Sequence, residues 1–150
     1  MRRNLSIVVS ILFLGFAGCT DDEGNKKGFN LFSLQDDITF GAQVAGEIDS
    51  DPASFPVLDS ATHVKAYAHL ERITNNVLNS GKLNYRDEFT WRTRIIEDDS
   101  VLNAFCTPGG YIYVYTGLIK FLDSEDQLAG VMGHAIAHAD ERHSTEALTK

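Results

Sequence analysis

The sequence predicts an α+β domain in which helices pack on a small mixed β-sheet. Three observations predict this class: two N-terminal segments with apolar residues at helical spacing, a central region of short alternating segments, and a long capped helix near the C-terminus. The chain has 150 residues, of which 43% are hydrophobic and 23% are charged. This composition is typical of one globular domain.

The N-terminus has the layout of a secretory signal peptide. A short basic start is followed by the twelve-residue apolar run Leu5 to Phe16 and by two small residues before Cys19. The run is too short to span a bilayer as a mature helix. The tail FAGC resembles the lipobox of bacterial lipoproteins, except that Phe16 stands where leucine is usual.

These features predict three segments. Residues 1–18 form a lipoprotein signal peptide, residues 19–32 a tether lipidated at Cys19, and residues 33–150 the folded domain. The protein would then be anchored by lipid in the bacterial cell envelope, on the outer membrane, with Cys19 as its link to the bilayer. Ordinary secretion with a coincidental cysteine is the alternative.

The charge balance argues against nucleic acid as a partner. The formal net charge is −8, and removing Arg2 and Arg3 with the signal peptide leaves 11 basic against 21 acidic residues. A chain of net charge −10 has no basic stripe to meet phosphates.

Two helices are predicted first. Ile38, Val44 and Ile48 recur near helical spacing, and a second stripe runs from Val64 to Val77. His63 and His69 are six residues apart and therefore lie on different faces, so we interpret them as surface residues and not as ligands.

Three strands are predicted next, over 89–97, 101–106 and 111–115, with a turn at Pro108-Gly109-Gly110. Cys106 is interpreted as a small buried strand residue without a disulfide partner. A short helical piece follows from Thr116 to Leu122.

The last element is a helix over about 124–143. Ser124 can cap it, with Gln127 completing a capping box, and a broad apolar stripe begins at Leu128.

His134 and His138 are four residues apart on this helix, so their imidazoles lie one above the other. Such a pair can bind one zinc ion at about 2.0–2.1 Å. The spacing alone is also compatible with two partly buried histidines that hydrogen-bond locally. In the H-E-x-x-H motif of zinc peptidases the glutamate is the general base, but here Ala135 takes that position.

The surrounding sequence resembles a known family. The stretches LNAFCTPGGYIYVYTGLIKFL and SEDQLAGVMGHAIAHADERHS are similar to the zinc metallopeptidase (gluzincin) family that includes HtpX, the CAAX prenyl proteases and the β-barrel assembly-enhancing protease. Two motifs occur in the order and separation of that family, and DITFGAQVAGEI resembles its opening helix. The resemblance covers residues 34 to 144.

The resemblance implies the N-terminal part of a zincin-like domain. Zinc would be held by His134 and His138, with a glutamate ligand from a later helix. An edge strand would pair with extended substrate, and we place substrate binding at Asn103, Gly109 and Gly110.

The chain departs from the family pattern in two ways. Ala135 cannot accept a proton, and general-base catalysis is typically worth about 10²–10⁴-fold. The printed chain ends at Lys150, before any helix that could supply the third ligand, so we expect a truncated domain that binds zinc weakly. On an unbroken helix Glu141 falls short of the metal, and His143 faces nearly opposite His134 and is interpreted as structural.

Three functions are therefore expected, in this order. The first is a zinc metalloendopeptidase scaffold for envelope proteins that is inactive because Ala135 replaces the base and the third ligand is missing. The second is a non-catalytic pseudoprotease that binds extended or unfolded envelope polypeptides. The third is a structural lipoprotein without a site.

Overall fold

Five helices and a three-stranded sheet make up residues 30–149, the part of the chain that the computed structural model describes. The elements in chain order are α1 (Leu34–Asp49), α2 (Val64–Leu78), β1 (Arg92–Ile96), β2 (Ala104–Thr107), β3 (Tyr111–Tyr115), α3 (Thr116–Phe121), α4 (Glu125–Asp140) and α5 (His143–Thr149). The predicted α+β class is confirmed. The predicted signal peptide and the lipidation of Cys19 lie outside the described residues, as does most of the tether.

The sheet is mixed, with strand order β1-β3-β2. β1 runs parallel to β3, with Arg92 opposite Tyr111, and β2 runs antiparallel to β3, with Ala104 opposite Val114. The central strand β3 is covered on both faces, and its middle residues Ile112 to Val114 are fully buried. β2 is therefore an edge strand of this sheet.

Two hydrophobic clusters hold the helices on the sheet. One face carries α2 and α4, whose buried residues pack with those of the strands. The other face carries α1, which contributes Val44 and Ile48 to a second cluster with Tyr113 and Tyr115. The alternation of strand residues distributes them between the two clusters: Ile112 and Val114 face one, Tyr113 and Tyr115 the other.

The predicted third strand, 111–115, coincides with β3, whereas the predicted starts of β1 and β2 are three residues too early. Trp91 has a φ of +48°, which interrupts the extended backbone before β1. The predicted second strand begins at residue 101, but the backbone before Ala104 instead passes close to Gly117. A Cβ atom at Gly117 would lie 2.5 Å from the Val101 carbonyl oxygen. This glycine therefore allows the loop to approach the start of α3.

The helix caps follow the sequence closely. Ser33 and Asp36 form a reciprocal capping box at the start of α1. At α4 only half of the predicted box forms: the Ser124 hydroxyl accepts a hydrogen bond from the Gln127 amide, while Gln127 Oε1 accepts one from the amide of Asp123.

The helix predicted over about 124–143 is present as α4 but ends three residues early, and a separate helix follows it. α4 ends at Asp140, and Arg142 has a φ of +60°, in the left-handed region that side chains rarely adopt. The Arg142 guanidinium donates to the buried Asp37 carboxylate and to the Phe32 carbonyl oxygen. These contacts with α1 and the segment before it hold the break, and the chain resumes as α5 in a new direction.

Residues 30–32, which the sequence assigned to the tether, are attached to the domain. Asn30 Nδ2 donates to Thr145 Oγ1 at 2.9 Å, and the Leu31 amide donates to Thr149 Oγ1 at 3.2 Å. The segment before α1 is thus bound to α5. Among residues 30–149, no helix combines the length and the apolar character that crossing a bilayer requires.

Candidate metal centre

The predicted ligand pair, His134 and His138, converges on α4. Their Nε2 atoms are 2.9 Å apart, and their rings are perpendicular with centroids 4.3 Å apart. His134 is exposed and His138 is half-buried, so the space beside the two nitrogens is open to solvent. The rings neither diverge nor lie sealed under other side chains.

This geometry fits half of a tetrahedral zinc site. Two nitrogens bound to one zinc ion at 2.0–2.1 Å would lie about 3.3 Å apart. The observed separation of 2.9 Å is a few tenths of an ångström shorter and requires only a small rotation of the rings. Within residues 30–149, however, no group of three or more histidine, cysteine, aspartate or glutamate side chains is arranged to hold a metal ion. The described residues therefore offer two ligands.

The electrostatics favour neutral imidazole at His138. Burial lowers the pKa of His138, and the neighbouring His134 and His143 lower it further because a second positive charge there would be repelled. Neutral imidazole is the form that binds metal ions. His138 is thus in the protonation state that a ligand needs at neutral pH.

His143 lies beside the predicted ligand pair, which the sequence did not indicate. The expectation that it faces away from His134 on a continuous helix is wrong, because the break at Arg142 turns the chain back. His143 Nδ1 lies 2.7 Å from His138 Nδ1, and the ring centroids are 4.9 Å apart. Three histidines therefore form a continuous row. Nothing in the local sequence indicates that the backbone of Arg142 adopts a left-handed conformation.

The two acidic residues at the end of α4 are used elsewhere. Asp140 is 2% exposed and accepts hydrogen bonds from the amides of Asn84 and Tyr85, at 2.9 and 2.7 Å. Glu141 Oε1 accepts from Asn84 Nδ2 at 3.3 Å and is otherwise exposed. Both carboxylates thus bind the loop after α2.

Ala135 lies on the inner side of α4. It is 8% exposed, next to the fully buried Ile136, and α4 packs against the edge strand β2. A methyl group at this position can neither accept a proton nor orient a water molecule.

The three predicted substrate-binding residues have different surroundings. The carbonyl oxygens of Gly109 and Gly110 already accept hydrogen bonds from the amides of Thr90 and Arg92, both at 2.9 Å. Both glycines are buried, and a Cβ atom at Gly110 would lie 2.9 Å from the amide nitrogen of Trp91. They shape the turn between β2 and β3. Their role in substrate binding stays a prediction.

Asn103 retains a free polar atom. Its backbone oxygen accepts a hydrogen bond from the Tyr115 amide at 3.1 Å, while its side-chain Oδ1 is buried and has no hydrogen-bond partner in the structure. It stands at the start of the edge strand. Cys106, in the same strand, is partly buried, and burial raises the pKa of its thiol, so the sulfur stays protonated and unreactive at neutral pH.

A match to a protein-family model identifies the family of this chain. The model of peptidase family M48 matches residues 64–150, which is more than half of the chain. The chain belongs to peptidase family M48. The M48 match includes α4 with its histidine pair, the whole sheet and helix α2.

Several curated metallopeptidases are similar to part of the chain. The chain is 36% identical over 67 residues to the mitochondrial metalloendopeptidase OMA1 of Arabidopsis thaliana, covering 45% of this chain and 14% of the relative. It is 39% identical over 54 residues to the β-barrel assembly-enhancing protease of Escherichia coli (36% and 11%). It is 47% identical over 45 residues to a putative protease of the same name from Vibrio cholerae (30% and 9%).

The matched segments thus span about a tenth to a seventh of these relatives' own lengths. Membership of a metallopeptidase family implies a metal cofactor, typically zinc, and the two convergent imidazoles are the described groups that fit it.

Proposed function

We propose that this M48 chain is the metal-binding scaffold of a zinc metalloendopeptidase of the bacterial cell envelope, and that it does not hydrolyse peptide bonds in its present sequence. The observation that carries the proposal is the convergence of His134 and His138 through Nε2 at 2.9 Å on an open face, with Ala135 following His134 in the sequence. The first two positions match the ligand positions of the H-E-x-x-H motif, and the third matches its general base.

The residues have distinct roles in this proposal. His134 and His138 hold zinc, which when bound supplies Lewis-acid chemistry. Ala135 provides no proton acceptor. Loss of a general base costs a factor of about 10²–10⁴ in rate, or about 3–5 kcal/mol of transition-state stabilisation.

The edge strand β2 is the proposed peptide-binding element. It pairs with β3 on one side only within the described sheet, and α4 packs beside it. An extended polypeptide can add to such an edge through backbone hydrogen bonds. This favours extended or unfolded envelope polypeptides as partners.

The alternative function is a pseudoprotease that binds such polypeptides without cutting them. It uses the same edge strand and is favoured by the same alanine. Envelope localisation through lipidated Cys19 is part of both versions. It is supported by the FAGC sequence and by the two bacterial relatives named as β-barrel assembly-enhancing proteases.

The test restores the base in the longest reading frame that contains residues 1–150. Ala135→Glu is expected to produce casein cleavage that a chelator abolishes, while Ala135→Gln, which has similar size and no base, is expected to stay inactive. Adding His138→Ala to the glutamate variant should abolish cleavage again. Circular dichroism of each variant controls for folding, because Ala135 is mostly buried.

Three results contradict the proposal or decide between its versions. Cleavage by the unaltered protein would refute the claim of inactivity. Zinc binding without cleavage in the glutamate variant would favour the pseudoprotease. Failure of the unaltered protein to bind zinc through the two histidines would overturn both versions.

A further inference from the structure

We propose that His143 is a positioning residue for the metal site: its Nδ1 accepts a hydrogen bond from Nδ1–H of His138 and so leaves His138 Nε2 unprotonated and directed at the metal seat. This inference rests on the proposed function, because it assigns a role to His143 relative to the two ligands. His143 does not itself contact the metal in this assignment.

The distances place both ring nitrogens of His138 in hydrogen bonds. Nε2 lies 2.9 Å from His134 Nε2, and Nδ1 lies 2.7 Å from His143 Nδ1. A neutral imidazole has one N–H donor and one acceptor nitrogen. The position of the single ring proton of His138 therefore determines the direction of the hydrogen bonds among the three histidines. A proton on Nδ1 leaves Nε2 free to bind a metal ion, whereas a proton on Nε2 blocks it.

Metal-binding histidines almost always donate their second ring N–H to a hydrogen-bond acceptor, which fixes the tautomer and the ring orientation. Among residues 30–149, the partner placed at His138 Nδ1 is His143. The nearby carboxylates of Asp140 and Glu141 are already bound to the loop at Asn84. His143 is thus the group positioned to serve as that acceptor.

The fold holds His143 in place through contacts remote from the metal seat. Arg142 adopts a left-handed backbone conformation, and its guanidinium is bound to the carboxylate of Asp37, which is 1% exposed. Thr145 Oγ1 donates to the Arg142 carbonyl oxygen at 3.2 Å, at the start of α5. Unfavourable backbone conformations of this kind persist where surrounding contacts hold them, and they are frequent at functional sites.

The first experiment reads the tautomer directly in the metal-free 150-residue chain, by NMR correlation of the histidine ring nitrogens with the ring protons. His138 is expected to carry its proton on Nδ1. His143→Leu, which removes the acceptor, should shift His138 towards the Nε2–H form, while His143→Asp, which can only accept, should retain the Nδ1–H form. His69→Gln, an exposed histidine on α2, is the matched control and should leave His138 unchanged.

The second experiment measures zinc affinity of the same variants by calorimetry. His143→Leu is expected to weaken zinc binding by about 10–100-fold, the usual effect of removing such a partner. His143→Asp and His69→Gln should bind as the unaltered chain does.

Two results would overturn the inference: a proton on Nε2 of His138 in the unaltered chain, or a tautomer that His143→Leu leaves unchanged. If the tautomers follow the expectation but no variant binds zinc, the proposed metal site fails while the hydrogen bond stands. The two failures are therefore distinguishable.

Discussion

Gly41 in α1 tests how the first helix positions the turn between β2 and β3. A Cβ atom at Gly41 would lie 1.6 Å from the carbonyl oxygen of Pro108 and 2.6 Å from its carbonyl carbon. Side-chain Cβ atoms essentially never come within 3.0 Å of a heavy atom outside their own residue and its chain neighbours. Gly41→Ala therefore forces α1 and the turn apart by about 1.4 Å, and both are backbone segments that have no rotamer to change.

The magnitude follows from two opposing effects. Overpacking of this kind costs typically 1–3 kcal/mol, and the rigid partners place Gly41→Ala at the upper end, about 3 kcal/mol. Alanine is favoured over glycine within a helix by about 0.5–1 kcal/mol. The net loss of unfolding free energy is therefore about 2 kcal/mol, or about 8 °C in Tm.

Gly46→Ala is the matched control in the same helix. A Cβ atom at Gly46 meets nothing within 4 Å, so this substitution should stabilise the protein by about 0.5–1 kcal/mol. Urea unfolding followed by the fluorescence of Trp91, the single tryptophan, measures both changes. Equal effects of the two substitutions, or a Gly41→Ala protein as stable as the unaltered one, would refute the packing of α1 on the turn.

Two further predictions concern buried groups. Asp37→Asn removes the anionic partner of Arg142, whose side chain is 17% exposed. This substitution should lower the unfolding free energy measured by urea denaturation by about 3 kcal/mol. A loss below about 1 kcal/mol would show that the ion pair does not hold the break between α4 and α5. Burial raises the pKa of Cys106, so the folded state keeps its proton at a pH where the unfolded state has lost it. Stability should therefore fall as the pH rises above about 8.5, the ordinary thiol pKa, and Cys106→Ala in a Cys19→Ser background should reduce that fall, as judged from denaturation between pH 7 and 10. An unchanged pH dependence in the alanine variant would contradict the burial of the thiol.

The sequence was sufficient for the elements whose signal is local. The apolar stripes predicted the presence of α1 and α2, because amphipathic spacing repeats over consecutive helical turns. The second stripe, from Val64 to Val77, ends one residue before the end of α2. The same spacing predicted that His134 and His138 share one face of α4, and the structure brings their nitrogens together.

The end of α4 could not be predicted, because a distant contact determines it. Neither glycine nor proline marks the break, and the left-handed conformation of Arg142 depends on Asp37, which is 105 residues away in the sequence. The expected continuation of the helix therefore placed His143 on the wrong side. A tertiary ion pair thus outweighed local helix propensity, and it created the third member of the histidine row.

The glycines of the Pro-Gly-Gly turn show a second limit of prediction from the sequence. Gly109 and Gly110 both have positive φ, as a turn prediction would have it. From the sequence alone, a glycine that leaves space for a substrate looks the same as a glycine that leaves space for another backbone segment of the domain. Here Gly109 approaches the backbone of Ile38 and Gly110 approaches Trp91, so the packing of α1 and the start of β1 use the space.

Zinc titration of the isotope-labelled chain, followed at the ring nitrogens of the histidines, tests the metal seat most directly. The account predicts that Nε2 of His134 and His138 shift together and saturate, that dialysis reverses the shifts, and that His134→Ala abolishes the response at His138. Zinc that shifts neither ring, or that binds equally well after His134→Ala, would contradict the account.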